Sequence, residues 1–344
     1  LKMNYKNRIK GSVICLFFMG VVLVSCQHEV KVEQHKLAGD ALGTTFHITY
    51  LGKEQDSFLS KVDSIVFAVN HSLSTYQQNS LLSSFNANSE KMWEDPNEAK
   101  YLESDRKHFV KMIQLSKDIA LKTANAFDPS AKLLFDEYMR AKKVMEYMQQ
   151  DAVDYGLSHM GMQKVQLDVN GIPYKLDSLV QMNFNAIAKG YLVDLIAEYL
   201  DYYGVTNYMV EVGGEMRLSG KNGEGKAWKI GINVPEIGAR PTDFFKVLEI
   251  ENSALATSGN YQNFYIVDGK TVGHTLDPRT GKPVLSDLKS VSILHKNCAV
   301  ADAYATACMV LGLAESRELI SRDSTVSAYF IYEMWGELKG EFIE

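Results

Sequence analysis

The sequence predicts an α+β fold arranged in two lobes. Two observations carry this: stretches of helical periodicity fill the first half of the chain, and short strand-like runs fill the second, with one amphipathic helix set among them. Thr44–Tyr50 (TTFHITY) alternates apolar and polar residues as a strand does. Asp56–Leu73 puts Phe58, Leu59, Val62, Ile65, Val66 and Val69 on one helical face. Ser104–Asn125 reads as a second helix, and Ala131–Ser158 holds one or two more, with few turn signals. Lys164–Leu176 reads as a hairpin around Asn170-Gly171, a dipeptide suited to a type I′ turn. Pro173 sets its second arm at an edge, because proline has no N–H for a ladder. Ala188–Tyr203 is an amphipathic helix ended by Gly204, and the seam between lobes is expected there. Short strands follow at Tyr208–Val212, Trp228–Val234, Lys246–Ile250, Asn263–Val267 and Ser290–Leu294. A helix over Ala299–Leu311 and a strand over Val326–Tyr332 close the chain, which carries no internal repeat.

The N-terminus reads as an export signal. Lys2, Lys6, Arg8 and Lys10 precede an apolar run from Val13 to Val24, the pattern of a signal peptide. The run falls short of the roughly 20 residues a transmembrane helix needs. Leu23-Val24-Ser25-Cys26 is similar to a bacterial lipobox. The expectation is a signal peptide over residues 1–25, a lipid on Cys26, a polar tether over 26–40 and a folded domain over 41–344. Such a protein is exported and lipid-anchored to a bacterial membrane, facing the periplasm. Removing the four cations of the signal takes the formal net charge from −6 to −10. An acidic chain without a basic stripe argues against nucleic-acid binding. Cys298 and Cys308 then remain; Cys308 lies in an apolar helical stretch and reads as a buried thiol.

Three segments carry candidate chemistry. In Ala301-Asp302-Ala303-Tyr304-Ala305-Thr306, Asp302 and Thr306 are four apart and share a helical face. A carboxylate and a hydroxyl so placed offer two hard oxygen ligands of the kind Mg²⁺ takes, or else Asp302 caps the helix and Thr306 packs; spacing leaves both open. In Asn183-Phe-Asn-Ala-Ile-Ala-Lys-Gly190 a loop of small residues opens into a helix. Its N–H groups suit an anion, and Lys189 adds charge. In Gly273-His-Thr-Leu-Asp-Pro-Arg-Thr-Gly281, His274 suits a general base, and Arg279 suits a phosphate or Asp277. The other seven histidines lack metal-ligand spacing, which argues against zinc. No Gly-x-Ser-x-Gly elbow is present, which argues against an α/β-hydrolase.

Taken in order, these segments and several weaker ones make a recognisable set. The run is Leu42-Gly43-Thr44, Ser74-Thr75-Tyr76, Ala126-Phe127-Asp128-Pro129, Ala186-x-Ala188-Lys189-Gly190-Tyr191 with Asp194, Val212-Gly213-Gly214, Ala256-Thr257-Ser258-Gly259-Asn260-Tyr261, His274-x-x-Asp277-Pro278-Arg279-Thr280-Gly281, and Ala301-Asp302-Ala303-x-Ala305-Thr306. In this order the chain resembles the ApbE family of FAD:protein FMN transferases, over nearly all of its length after Asp40. The resemblance implies a two-lobed α+β fold with FAD in a cleft between lobes and Mg²⁺ on its pyrophosphate. It implies metal ligands at Asp302, Thr306 and the Ala186 carbonyl, FAD contacts from Leu42, Tyr76, Ala126, Phe127, Asp128, Asn183, Lys189 and Leu276, and a catalytic His274 near the reacting phosphate. It further implies transfer of FMN from FAD to a threonine hydroxyl of a target protein, with release of AMP. The implied targets resemble subunits of Rnf-type or sodium-pumping NADH:quinone oxidoreductases. An Mg-dependent FAD pyrophosphatase and a non-catalytic flavin-binding lipoprotein are the two alternatives. The chain departs from the family at Leu42, where Met is frequent, at Asn183, where Asp is common, at Glu211, where Asn is common, and at Glu215, where Asp is common.

Overall fold

The computed structural model describes residues 33–89, 99–260, 264–273 and 275–344. The expected signal peptide, the expected lipid site at Cys26, Tyr261 and His274 lie outside the described residues. The chain opens with β1 (Gln34–Ala41) and β2 (Thr44–Leu51), followed by α1 (Phe58–Leu73), α2 (Leu81–Asn86), α3 (Ala99–Lys122), α4 (Lys132–Val144) and α5 (Gln150–Ser158). A small ladder of β3 (Val165–Leu167) and β4 (Pro173–Lys175) precedes α6 (Ala188–Tyr202). The strand-rich half holds β5 (Tyr208–Val212), β6 (Glu215–Ser219), β7 (Trp228–Asn233), β8 (Phe244–Ile250), β9 (Ser253–Gly259), β10 (Phe264–Val267), β11 (Lys270–Gly273), β12 (Leu276–Asp277), β13 (Lys282–Pro283) and β14 (Leu288–His295). Helix α7 (Cys298–Arg322), β15 (Ser327–Met334) and β16 (Glu337–Ile343) complete it.

The expected α+β class is what the chain adopts. An eight-stranded antiparallel sheet runs in the order β1-β2-β5-β6-β9-β14-β15-β16. Helices α1, α6 and α7 cover one face, with α3 packed on α1. Phe46, Ile48, Val210, Val212, Val291 and Ile293 point into that interface and are fully buried, as are Leu192 and Ile196 of α6. Each such side chain contributes about 1.5–3 kcal/mol of burial. On the opposite face the β7–β8 ladder covers Leu218, Leu255 and Ile331 with Trp228, Ile230 and Ile232.

Three expectations are corrected here. Gly204 ends α6 but marks no seam, because β2, before it, pairs with β5, after it, inside one sheet, and residues Glu33–Glu344 form one unit. Gln34–Asp40, expected to be tether, are the body of β1, an edge strand whose exposed and half-buried residues alternate. The loop Asp168–Ile172 is not a two-residue I′ turn. The Asp168 carboxylate accepts the N–H groups of Asn170 and Ile172 at 2.9 and 2.7 Å, and only Gly171 of the dipeptide has positive φ. Helix α7 breaks at Gly312, one residue beyond its expected end at Leu311, and Cys298 and Cys308 are both buried free thiols.

Candidate active site

The site is built where α6 and α7 cross. Asn183 enters it tied at both ends: its N–H donates to the Pro129 carbonyl at 2.8 Å, and its Oδ1 accepts the Asn185 N–H at 2.9 Å. Phe184, 1 % exposed, plugs the core, and its carbonyl accepts the N–H groups of Ile187 and Ala188. The chain therefore turns into α6 at Ala188. In the first turn the Gly190 N–H donates to Asp302 Oδ2 at 3.1 Å rather than to the Ala186 carbonyl. A helix N-terminus carries partial positive charge, so this is a favourable seat for a carboxylate. The expectation that this N-terminus meets a substrate anion is thus modified: the anion it meets is Asp302.

The crossing depends on two residues of α6. A Cβ on Gly190 would stand 2.4 Å from the Cys298 carbonyl oxygen, so the backbones meet there as only glycine allows. One turn on, Asp194 accepts the N–H groups of Cys298 and Ala299, both at 2.9 Å, and so caps α7 from outside its own sequence. Arg217 of β6 holds that carboxylate at 3.2 Å. The cap sets the phase of α7. Asp302 then falls at the start of α6, and Thr306 follows on the same face.

The sheet supplies the third part. β5 and β6 are joined by Gly213-Gly214, both at positive φ, and Glu215 opens β6 directly after the turn. A Cβ on Gly213 would press on Thr44 Cγ2 at 2.7 Å and on Lys189 Cδ at 3.3 Å. The Glu211 carboxylate accepts the Gly214 N–H at 2.6 Å and faces His47 Nδ1 at 2.8 Å, which pins the turn. Glu215 is 4 % exposed, and its carboxylate pairs with the Lys189 ammonium. Burial pushes the carboxyls of Asp302 and Glu215 above the ordinary range; at Glu215 the charge of Asp302 adds to the effect, and Lys189 opposes it. Burial alone would lower Lys189, but the charges of Glu215 and Asp302 outweigh it and hold its ammonium on. With all three ionised, two buried carboxylates face one ammonium, and the site is one negative charge in excess.

These groups line a cleft of about 490 Å³. Ala126, Phe127 and Asp128 form part of its wall, with Asn183, Ala186, Lys189, Leu276, Asp302 and Thr306. Nine of the residues expected at the site are thereby brought together. Asp128 shapes its own loop: it accepts the Ser130 N–H at 2.8 Å and the Ser130 hydroxyl at 2.6 Å. Burial raises its pKa against those two hydrogen bonds. Leu42 and Tyr76 are not in the cleft lining. Leu42 sits at φ 51° in the β1–β2 turn and packs on the core, while Tyr76 follows the end of α1 and is 83 % exposed. Arg279 grips Asp277 with two 2.9 Å bonds and reaches Glu315 at 3.4 Å, so of its two expected partners it takes Asp277. Glu215, Thr257, Ser258 and Thr275, which the sequence segments and departures include without a site role, all line the cleft. The glycine pair before Glu215 was a usable signal, since an I′ turn at a sheet end fixes where the next side chain points. The strand of Thr257 and Ser258 (SALATSG) has Leu255 as its single large apolar residue, so it lacks the apolar alternation that marks a strand.

The donor set fits a hard cation. No group of three or more His, Cys, Asp or Glu with metal-holding geometry exists among the described residues. What the site offers is oxygen: the Asp302 carboxylate, the Thr306 hydroxyl and the Ala186 carbonyl, with Glu215 beside them. Mg²⁺ takes such partial sets and completes them with water and substrate phosphate.

Comparison with known proteins gives the family. The profile of the ApbE family matches residues 42–330. FAD:protein FMN transferases are similar along almost the whole chain: that of Haemophilus influenzae is 31 % identical over 337 residues, covering 95 % of this chain and 93 % of its own. That of Vibrio cholerae is 30 % identical over 303 residues, covering 85 % of each. Among solved structures, the flavin transferase ApbE from Vibrio cholerae superposes with a TM-score of 0.74 at 26 % identity, over 90 % of this chain and 97 % of that one. The apo flavinyl transferase ApbE of Pseudomonas stutzeri, at 24 % identity and a TM-score of 0.75, shares the fold over 90 % of this chain and 95 % of its own. The chain belongs to the ApbE family and is an enzyme of the flavin-transferase class.

Proposed function

We propose that this enzyme moves FMN from FAD to a threonine hydroxyl of a target protein, with release of AMP, in the cleft walled by Lys189, Glu215, Asp302 and Thr306. One observation carries the reading. A cleft of about 490 Å³ is within the ~300–1,000 Å³ of small-molecule sites, and its wall holds two buried carboxylates against one ammonium. With both carboxylates ionised, the charge excess repels a pyrophosphate unless a divalent cation joins it. Asp302, Thr306 and the Ala186 carbonyl would hold Mg²⁺. When bound there, Mg²⁺ supplies the charge that admits the pyrophosphate and stabilises the negative charge developing on the leaving AMP.

The protein's own groups do the rest. Phe127, Leu276 and Met309 give the cleft apolar wall suited to aromatic rings. Lys189, held protonated by its two carboxylates, adds a fixed positive charge that needs no reorganisation. His274, which lies outside the described residues, is the proposed acceptor of the threonine hydroxyl proton. The threonine oxygen bonds to the flavin-side phosphorus as that phosphorus parts from the oxygen carried away by AMP. The acceptors in this reading are subunits of Rnf-type or sodium-pumping oxidoreductases. A lipid on Cys26 and export across the membrane would hold enzyme and membrane-bound acceptor together and raise their effective concentration.

The test is to incubate the protein with FAD, Mg²⁺ and such an acceptor domain and to weigh the acceptor. A mass gain equal to the FMN moiety, with AMP released, is the expected result. Free FMN with AMP and an unmodified acceptor would make the protein a pyrophosphatase, and unchanged FAD would make it a binder.

A further inference from the structure

A second groove, of about 760 Å³, has no lining residue in common with the cleft, but some of its residues follow or hydrogen-bond to residues of the cleft. Gly259 and Thr275 line the cleft; Asn260, the next residue, and Val284, whose N–H donates to the Thr275 carbonyl at 2.8 Å, line the groove. Further lining comes from Pro235, Glu236 and Ile237 between β7 and β8, from Leu285 and Asp287 before β14, and from Gly336 of the β15–β16 turn. Two apolar residues of the groove, and one next to its lining in the chain, stand exposed. Ile237 is 74 % exposed, Leu285 71 %, and Trp335, beside Gly336, 92 %. Trp335 also stands at φ 54° in a two-residue turn, a left-handed position that asparagine or glycine fills at lower cost. A bulky aromatic held out at a strained corner is a docking anchor in form. Charge at the groove is one-sided. Lys289 is paired with Glu333 at 2.9 Å, while Glu236 and Asp287 are exposed carboxylates without an ion pair among the described residues.

We propose that this groove docks the acceptor protein, seating an extended segment with apolar side chains against Ile237, Leu285 and Trp335 and a basic side chain against Glu236 and Asp287, so that the adjoining hydroxyl residue enters the cleft. The inference rests on the transferase reading above, because only a protein acceptor needs a path to the cleft distinct from that of FAD. Asn260 follows Gly259 in the chain and Val284 bonds to Thr275, so a few residues of extended backbone, at about 3.3 Å each, bridge groove and cleft.

The test uses the full chain, FAD, Mg²⁺ and the acceptor domain of the mass assay, with two variants: Trp335→Ala, and Glu236→Lys combined with Asp287→Lys. Each variant is expected to raise the KM for acceptor about tenfold or more, as loss of a docking anchor does, with FAD affinity unchanged. The charge variant is further expected to lose the salt dependence of that KM. A KM within about twofold of wild type for both variants, well below the effect of a lost anchor, overturns the groove while leaving the transferase reading intact. Absence of transfer by the wild-type enzyme overturns both.

Discussion

Asp194 shows how much of this site rests on residues that touch no substrate. Its two oxygens satisfy the first two N–H groups of α7, and a third bond ties it to Arg217. Asp194→Ala leaves those donors unsatisfied and Arg217 with only its 3.4 Å contact to Asp201, and is expected to cost about 1–3 kcal/mol, read as a lower urea midpoint at unchanged slope. The carboxylates that face the cleft make a different prediction. Asp302 and Glu215 have folded-state pKa values raised by burial above the unfolded ones. The folded protein therefore holds protons that the unfolded chain releases. That contribution is fully present below the ordinary carboxylate range and is lost as pH rises through the raised values, which at Glu215 reach about 8. Mg²⁺ needs the ionised forms, so its affinity should rise across the same window. Thermal melting in EDTA against Mg²⁺ at several pH values checks this: the gain from Mg²⁺ should grow with pH, and a gain that is flat or shrinks contradicts it. Asp302, Thr306 and Lys189 were legible in the sequence because their motifs are local. The Asp302–Gly190 bond was not, since its partners are 112 residues apart and meet only through tertiary packing.

Among the elements, the crossing of α6 over α7 decides whether the site exists. Helix α7 is apolar on most of its circumference because it is buried on most of it, and its single acid near the start is aimed at the one place where a helix terminus can receive it. Gly190→Ala puts a methyl 2.4 Å from a backbone oxygen that no rotamer change can move. It should cost about 1–3 kcal/mol as an overpacked contact, seen as a lower melting temperature. It should also weaken the stabilisation by Mg²⁺, because Asp302 moves with α7; an unchanged response would show that the ligand geometry does not depend on this contact. The long helices were readable from periodicity, as α1 and α6 show. Strand β9 was not, because its Ala, Ser, Thr and Gly residues give no apolar alternation, and β6 is only five residues long with two apolar side chains, Met216 and Leu218. β1 was hidden for a related reason: its outward face is polar, and an edge strand reads like a tether. Leu42 and Tyr76 show the converse limit, since motif order brought them into the site while the fold leaves them outside the cleft lining.

For the molecule as a whole, one antiparallel sheet gathers the site from distant parts of the chain. The turn at Gly213-Gly214, the strand of Thr257, the loop after α3 and the starts of two helices all meet beside one cleft. The α+β class followed from the order of helical and strand-like runs, whereas the absence of a seam at Gly204 needed the β2–β5 pairing, which no local pattern announces. In the reading proposed above, Asp302, seated on the first turn of α6, makes this cleft the place where FMN is moved. Asp302→Asn tests it most directly, since the amide oxygen can still accept the Gly190 N–H while the charge is gone. The measurement is the mass of the acceptor after incubation with FAD and Mg²⁺, alongside the melting temperature of the enzyme with and without Mg²⁺. The account predicts a folded variant that adds no flavin to the acceptor and gains no stability from Mg²⁺; flavin transfer at the wild-type rate would contradict it.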